Sequence, residues 1–217
     1  SLDNLNKAVI VVAAGNYSGT IGEYIASEKG YVYPASFTGF NNMISVGALD
    51  QNMQLASFSN KGADLAAPGV AILSTYKQTD DSGVVSLKVL KGTSMAAPFV
   101  SGAAALLASI NSDLTANQIK NILLKGSSQK VSTASSTEKI FNINDGIDYY
   151  YENKTEILNS TPESSSSSDD TTSNESTGSN NNSTSDSSGS GGGGCNGFIT
   201  GIFAAMIFIP LAKKLKR

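Results

Sequence analysis

The pattern of apolar and polar positions predicts a series of buried strands in the first part of the chain. Ala8–Ala14 and Met43–Leu49 are nearly continuous apolar runs. Such runs are typical of parallel strands that are buried on both faces. Shorter strand-like segments follow at residues 55–59, 64–67, 71–76 and 84–90. The last two segments flank a polar turn, so we expect them to form a strand pair.

Two helices are predicted after these strands. Ser94–Ile110 is rich in Ala and Leu, and we expect it to pack against the sheet, with Gly102 permitting a close approach. Asp113–Lys125 begins with polar residues and then places apolar residues at helical spacing. Both segments are long enough to cover one face of a sheet with apolar side chains.

The composition divides the chain into three regions. A polar loop at 127–138 and a closing apolar segment at 140–147 complete the globular part, which we assign to residues 1–152. Residues 153–194 consist largely of Ser, Thr, Asn, Gly and Asp, and too few of them are apolar to form a core. We expect this region to be a disordered tether. Residues 195–217 are predicted to be a separate apolar and basic end.

The end of the chain has the pattern of a membrane anchor. Phe198–Ala212 is apolar over 15 residues and is followed by the basic residues of 213–217. A helix needs roughly 20 residues to cross the hydrocarbon core, although Gly197 and a snorkelling Lys213 extend this run slightly. The alternative is a buried core helix. The positive-inside rule would keep the basic end cytoplasmic and place the rest outside, at the cell surface.

Composition and charge exclude some functions. The formal net charge is −3, and Lys and Arg cluster only in the last five residues, so we expect no nucleic-acid partner. Cys195 is the only cysteine, so no internal disulfide can form and the core must be held by packing. The sequence contains no histidine, which limits any acid–base chemistry.

Two short segments carry candidate chemistry. Ser94 follows Gly92-Thr93 at the start of the long apolar helix, where backbone N–H groups and the helix dipole stabilise negative charge. It is therefore a candidate nucleophile, and the alternative is an ordinary N-cap. Asn16 follows Gly15 at the carboxyl end of the first predicted strand, where α/β sheets place their chemistry. It is either a turn residue or a donor to an oxyanion.

Five short blocks follow one another along the chain: Val11–Asn16, Tyr33–Ser36, Ala56–Asn60, Ala66–Val70 and the run Gly-Thr-Ser-Met-Ala-Ala-Pro at 92–98. In sequence and in order they resemble the subtilisin-like serine proteases, or subtilases. The resemblance covers roughly residues 5 to 148. It implies an α/β fold with a mostly parallel, doubly wound sheet, and a serine endopeptidase acting on polypeptide substrates.

The resemblance assigns roles to particular residues. It implies that Ser94 is the nucleophile and that the amide of Asn16 donates to the oxyanion. Gly15, Gly92 and Thr93 are expected to bind substrate. Val32 stands where many family members have glycine, which implies a shallower pocket that favours small side chains. The peptide bond between Tyr33 and Pro34 is a candidate cis bond.

The absence of histidine bears directly on this reading. A Ser-His-Asp mechanism needs an imidazole to accept the serine proton. Because the family's triad order is Asp, His, Ser, we expect the other two members upstream of Ser1 and expect this chain alone to be inactive. An α/β-hydrolase is excluded, since its histidine follows the serine. A surface-displayed binding protein that keeps the fold without the chemistry remains the alternative.

Two further features are open at this stage. Asp64, with backbone carbonyls near Ala35 and Phe37, could bind calcium or another cation weakly, as in some subtilases; the alternative is a solvated turn residue. Glycines 191–194, Cys195, the apolar run and the basic end resemble bacterial GlyGly/Cys-type sorting signals. That implies a sorting intramembrane protease as a partner. Cys195 is otherwise a chance residue or an acylation site.

Overall fold

A mostly parallel sheet forms the centre of the fold. The computed structural model describes residues 8–25, 27–28, 30–37, 39–77, 85–160 and 207–210. The strands are β1 Ala8–Ala13, β2 Met43–Leu49, β3 Leu65–Pro68, β4 Ile72–Lys77, β5 Val85–Leu90, β6 Lys130–Ser132, β7 Thr137–Ile140 and β8 Ile207–Pro210. The main sheet has the order β6-β7-β3-β2-β1-β8, in which β1, β2, β3 and β7 are parallel. The predicted α/β class is confirmed.

The central strands are buried along their whole length. Every residue of β1 and β2 is buried, as their continuous apolar runs predict. The short strand predicted at 64–67 is confirmed as β3. The segment 55–59 is a turn instead, with a single bridge between Leu49 and Leu55. The turn forms because Ser59 and its neighbours bond back to the sheet rather than extending it.

Helix α1, Thr93–Ile110, packs across β1, β2 and β3. By length and composition it could span a membrane, but here it is a core helix that buries one face against the sheet. The expected close approach at Gly102 is wrong. Gly102 is exposed, and a Cβ added there would meet no atom within 4 Å, because this residue lies on the outer face of the helix.

Helix α2, Ala116–Gly126, begins three residues later than predicted because a capping box sets its start. The Thr115 hydroxyl accepts from the Gln118 N–H at 3.2 Å, and the Gln118 side chain accepts from the Thr115 N–H at 2.9 Å. At its other end Gly126 crosses α3 so closely that a Cβ would collide with the backbone of Gly146. A glycine is therefore required at this crossing.

The region after α2 is more ordered than the sequence predicts. Strands β6 and β7 form a hairpin where a polar loop was expected, and Ser132 and Thr137 hydrogen-bond across it at 3.0 Å. The expected closing segment is the end of β7 followed by helix α3, Ile143–Glu152, whose N-cap is Asn142. A further helix, α4, spans Lys154–Asn159 within the predicted tether, and the compact unit continues to Ser160.

The strand pair leading to Ser94 is confirmed. Strands β4 and β5 are antiparallel, with Ile72 opposite Leu90 and Leu73 opposite Val89. Most of the predicted tether and of the predicted anchor lies outside the described residues. Within the apolar run, only Ile207–Pro210 is described; it forms a strand antiparallel to β1 rather than the expected helix.

Candidate active site

A glycine turn at the end of β1 presents Asn16. The strand ends at Ala13, and Ala14 N–H still donates to the Val46 carbonyl at 2.9 Å. Gly15 then adopts φ 101°, and a Cβ there would lie 2.5 Å from Asn60 Nδ2. Only glycine fits this conformation and this space. The next residue, Asn16, is thereby exposed at the carboxyl edge of the sheet.

A second glycine turn joins β5 to α1. Gly92 has φ 149°, and its N–H donates to the Gly69 carbonyl at 2.8 Å. Gly92 is the N-cap of α1 and has no side chain to cap the helix. The Thr93 N–H donates to Asn16 Oδ1 at 2.9 Å, and the Met95 N–H donates to the Gly92 carbonyl at 3.0 Å. Ser94 is the second residue of α1 and is partly buried. It therefore lies at the electropositive end of a buried helix.

Thr93 joins the two turns. Its backbone N–H and its hydroxyl both donate to Asn16 Oδ1, at 2.9 and 3.0 Å, and the same hydroxyl accepts from the Gly15 N–H at 3.1 Å. Because Oδ1 receives both donors, the orientation of the Asn16 amide is fixed. Its Nδ2 lies beside Gly92, 3.5 Å from the position of an added Cβ. The amide group is thus held as a donor close to the start of α1.

An apolar pocket lies against Ser94, between β4 and α1. Its volume is about 300 Å³, and its lining is mostly apolar: Ile72, Leu73, Ser74, Ser94, Met95, Pro98 and Phe99. On the side of Gly15, Val32 Cγ1 lies 3.0 Å from the position of a Gly15 Cβ. Val32 therefore packs against the Gly15 turn, and its effect on a substrate pocket stays a prediction.

The loop after Asn16 carries polar and aromatic groups. Burial raises the pKa of the Tyr17 phenol, and the charge and hydrogen bonding of Glu28 raise that pKa further. Tyr17 therefore stays neutral through the physiological pH range. The predicted cis bond between Tyr33 and Pro34 is confirmed.

The structure brings most of the predicted site residues together. Gly15, Asn16, Gly92, Thr93 and Ser94 form one cluster at the carboxyl edge of the sheet, with Val32 beside it. The Thr93 side chain is fully buried and its hydroxyl is engaged by Gly15 and Asn16, so its expected role in binding substrate stays a prediction.

Asp64 takes a structural position. Its Oδ2 accepts from the Ser45 N–H at 2.8 Å and from the Ser45 hydroxyl at 2.9 Å, and its own N–H donates to that hydroxyl at 3.0 Å. These bonds join β2 to β3. Among the residues that the structure describes, no group of three or more His, Cys, Asp or Glu could hold a metal ion.

Asn60 is the site residue that the sequence reasoning missed. It is fully buried, yet its side chain bonds to three residues of the turn that carries Asn16. The two asparagines are far apart in the sequence, so no spacing motif could have connected them. The only signal was that Asn60 ends one of the recognised blocks.

The fold and the cluster together define a class of protein: a subtilisin-like α/β protease fold with a serine at the start of a buried helix and an asparagine at the end of a neighbouring strand. The Subtilase family model matches residues 2–147. The chain therefore belongs to the subtilase family.

Individual relatives agree with this assignment. Subtilisin DY of Bacillus licheniformis is 43% identical over 119 residues, which are 54% of this chain and 39% of that protein. The extracellular basic protease of Dichelobacter nodosus is 41% identical over 129 residues, or 56% of this chain and 20% of that protein. A solved protease of Pseudoalteromonas arctica PAMC 21717 superposes with a TM-score of 0.52 at 29% identity, covering 63% of this chain and 41% of that one. The chain thus spans about two fifths of the length of subtilisin DY.

Proposed function

We propose that this protein is a serine endopeptidase in which Ser94 is the nucleophile. The observation that carries the proposal is the pair of bonds from Thr93 to Asn16 Oδ1, which hold the Asn16 amide donor beside the start of the helix that carries Ser94. In acyl transfer, the serine Oγ attacks the peptide carbonyl and loses its proton to a base. The carbonyl oxygen becomes an oxyanion, the C–N bond breaks, and the leaving amine takes the proton.

Asn16 and the first turn of α1 would stabilise the oxyanion. The Asn16 Nδ2–H group supplies one hydrogen bond, and the N-terminus of α1 supplies favourable electrostatics. The donor is pre-oriented by Thr93, so it does not need to reorganise when the charge develops. Pre-organised donors of this kind are among the largest contributions to catalysis.

We propose that the base is a histidine outside this sequence, because none of its 217 residues is histidine and the family's mechanism uses an imidazole. We infer that Asp-containing and His-containing blocks precede Ser1 in the full polypeptide. The match of this chain to only 39% of subtilisin DY supports this inference. A subtilase-fold binding protein without chemistry would lack the upstream histidine, and sequencing that region separates the two possibilities.

Substrates would be polypeptides with a small residue immediately before the scissile peptide bond. Val32 lies beside Gly15 at the Asn16 turn. Because many family members carry glycine at this position, we expect the Val32 side chain to occupy space that a larger substrate side chain would need. Val32→Gly should therefore raise kcat/KM for peptides with a large residue before the scissile bond relative to those with alanine there. An unchanged ratio would remove Val32 from the pocket.

We propose from the sequence of the chain end that the protein is extracytoplasmic and tethered to a membrane. The composition of the apolar run 198–212 and of the basic end 213–217 supports an anchor, with the Ser-rich region as the tether. Insertion into a membrane would require Ile207–Pro210 to leave its pairing with β1. Gly194-Cys195 fits cleavage by a sorting intramembrane protease. Mass spectrometry of the mature surface protein tests this: a carboxyl terminus near Gly194 or Cys195 supports sorting, whereas intact Arg217 in the membrane fraction supports a plain anchor.

The catalytic proposal is tested by turnover in the full-length protein. Ser94→Ala should abolish peptide hydrolysis. Asn16→Ala should lower kcat by about 10²–10³, the range established for such a donor in a subtilisin, while leaving Ser94 able to react. Asn16→Asp retains the acceptor for Thr93 and removes the donor, so it should be no more active than Asn16→Ala. Full turnover by Ser94→Ala would refute the proposal.

A further inference from the structure

We propose that Asn60 is a positioning residue that sets the geometry of the Asn16 turn for catalysis. This inference rests on the proposed function and concerns a residue that does not contact the reacting atoms. Asn60 is fully buried at the end of the 56–60 turn, directly behind Gly15. Its side chain is aimed at the turn and away from solvent.

Asn60 bonds to the turn on both sides of Asn16. Its Nδ2 donates to the Ala14 carbonyl at 2.9 Å, and its backbone N–H donates to the Gly15 carbonyl at 2.9 Å. Its Oδ1 accepts from the N–H groups of Tyr17 and Gly19, at 3.0 and 3.1 Å. These four bonds bracket Asn16 from the residue before Gly15 to the third residue after Asn16.

The turn needs such support because its backbone is unusual. Gly15 has φ 101° and Ser18, a non-glycine residue, has φ 58°. Non-glycine residues in this region persist only where surrounding bonds determine the conformation. Asn60 supplies bonds on either side of Ser18 through its side-chain amide, which uses one of its two N–H donors and an oxygen that accepts twice. Ser18 itself donates to the carbonyls of Ser57 and Phe58, so the turn is held by the segment that ends in the buried Asn60.

Asn60 is itself fixed to the central sheet. The Ser59 hydroxyl donates to the Asn60 carbonyl at 3.0 Å and accepts from the Ala48 N–H of β2, also at 3.0 Å. Hydrogen bonds therefore connect β2 to Ser59, Ser59 to Asn60, and Asn60 to the turn that carries Asn16. Thr93 orients the side-chain amide of Asn16, whereas Asn60 fixes the position of the backbone from which that side chain extends. Catalysis is sensitive to displacements of about 1 Å in such groups, which can cost about 10²-fold in rate.

The test uses kcat and KM of the full-length protein on a peptide substrate. Asn60→Ala removes the three side-chain bonds, and we expect kcat to fall by about tenfold or more with KM changed by less than about twofold. Asn42→Ala is the matched control. Asn42 is also buried, and its Nδ2 donates to the Ala8 carbonyl at 3.0 Å, at the opposite end of β1. Asn42→Ala should also lower stability, while kcat stays within about twofold because Asn42 lies at the end of β1 opposite to Asn16.

A double-mutant cycle separates positioning from general destabilisation. If Asn60 acts through the donor of Asn16, Asn60→Ala should change kcat by less than about twofold when Asn16 is already alanine. An equal loss in both backgrounds would overturn the inference. If Asn60→Ala does not fold, the isosteric Asn60→Asp is used in the same cycle, since it keeps the acceptor for Tyr17 and Gly19 and loses the donor to Ala14.

The outcomes also separate this inference from the proposed function. If the unmodified full-length protein turns peptides over in a Ser94-dependent manner and Asn60→Ala keeps its kcat, the role of Asn60 is wrong and the endopeptidase proposal stands. If no Ser94-dependent turnover is found, the proposed function fails, and the catalytic role of Asn60 fails with it.

Discussion

Thr93 shows how a single hydroxyl orients a candidate catalytic amide. A free asparagine side chain can rotate and can exchange its oxygen and nitrogen positions at little cost. Here the Thr93 N–H and hydroxyl both point to Oδ1 of Asn16, and the hydroxyl is itself aligned by the Gly15 N–H. The residue that orients the Asn16 donor therefore belongs to the nucleophile motif, one position before Ser94.

We predict that Thr93→Val lowers kcat of the full-length enzyme with a smaller effect on KM. Valine keeps the shape of threonine and removes the hydroxyl, which leaves the Gly15 N–H without its acceptor and Asn16 with one bond instead of two. Of these two losses, the bond to Asn16 Oδ1 acts on the catalytic donor, and losing it corresponds to about 1 kcal/mol, or roughly fivefold in kcat. Thr93→Ser restores the hydroxyl and should recover most of the rate. Equal activity of the Val and Ser variants would contradict this role.

The site illustrates what a sequence can and cannot provide at this scale. Ser94 and Asn16 stand in contiguous motifs, so both were identified before the structure. The roles of Thr93 and Asn60 depend on side chains that meet across 77 and 43 positions of the chain, as in the bonds from Thr93 to Asn16 and from Tyr17 to Asn60. Such contacts depend on which strands are neighbours in the sheet, and a local sequence pattern does not predict the strand order.

At the scale of elements, the strands and the long helix follow from hydrophobic pattern, whereas the region after α2 does not. The apolar runs of β1 and β2 and the Ala-rich α1 bury enough surface to dominate their own conformation. The hairpin of β6 and β7 has three and four residues, and its composition is polar. It forms because β7 docks beside β3, a tertiary contact that the polar local sequence does not reveal.

Glu138 gives this hairpin a buried carboxyl group. Its Oε1 accepts from the Gly62 N–H and from the Ser136 hydroxyl, both at 2.7 Å, and its Oε2 is buried with no hydrogen-bond partner in the part of the chain that the structure describes. Removing the side chain would leave the Gly62 N–H without its acceptor. Such a loss costs about 1–3 kcal/mol.

We predict that Glu138→Ala lowers the free energy of unfolding of the full-length protein by about 1–3 kcal/mol, while Glu138→Gln is more stable than Glu138→Ala. Glutamine keeps the Oε1 acceptor for Gly62 and Ser136 and removes the formal charge from the buried position. Denaturant unfolding measures both values. Glu156→Ala, an exposed change on α4, should stay within about 0.5 kcal/mol. Equal stability of the Ala and Gln variants would show that the two bonds contribute nothing.

At the scale of the whole molecule, α1 presents an apolar outer face. Phe99 and Leu106 are 42% and 44% exposed, and Gly102 lies between them on the same face. A helix that is apolar on all sides is normally buried on all sides. This chain covers 41% of the solved Pseudoalteromonas arctica protease. We therefore expect the remainder of the subtilase domain in the full-length protein to cover this face.

We predict that Leu106→Glu destabilises the full-length protein by about 2 kcal/mol or more, because it would bury an unpaired carboxylate at the covered face. Leu158→Glu is the control, since Leu158 is 41% exposed but lies on a different helix, α4. Thermal or denaturant unfolding of the two variants measures the difference. Equal stabilities would mean that the outer face of α1 stays open to solvent.

The central claim is that Ser94 is the nucleophile, and active-site labelling tests it most directly. A fluorophosphonate reacts when a serine Oγ displaces fluoride from phosphorus, so the adduct marks the activated hydroxyl. Trypsin would release residues 92–120, which contain Ser94 and Ser101 in one peptide, and fragment ions distinguish the two. Ser101 is buried on the same helix, with its hydroxyl bonded to the Ala97 carbonyl at 3.1 Å, so Ser101→Ala is the matched control. In the full-length protein we predict one adduct on Ser94, lost in Ser94→Ala and retained in Ser101→Ala. An adduct that persists in Ser94→Ala, or peptide hydrolysis without any adduct on Ser94, would contradict the account.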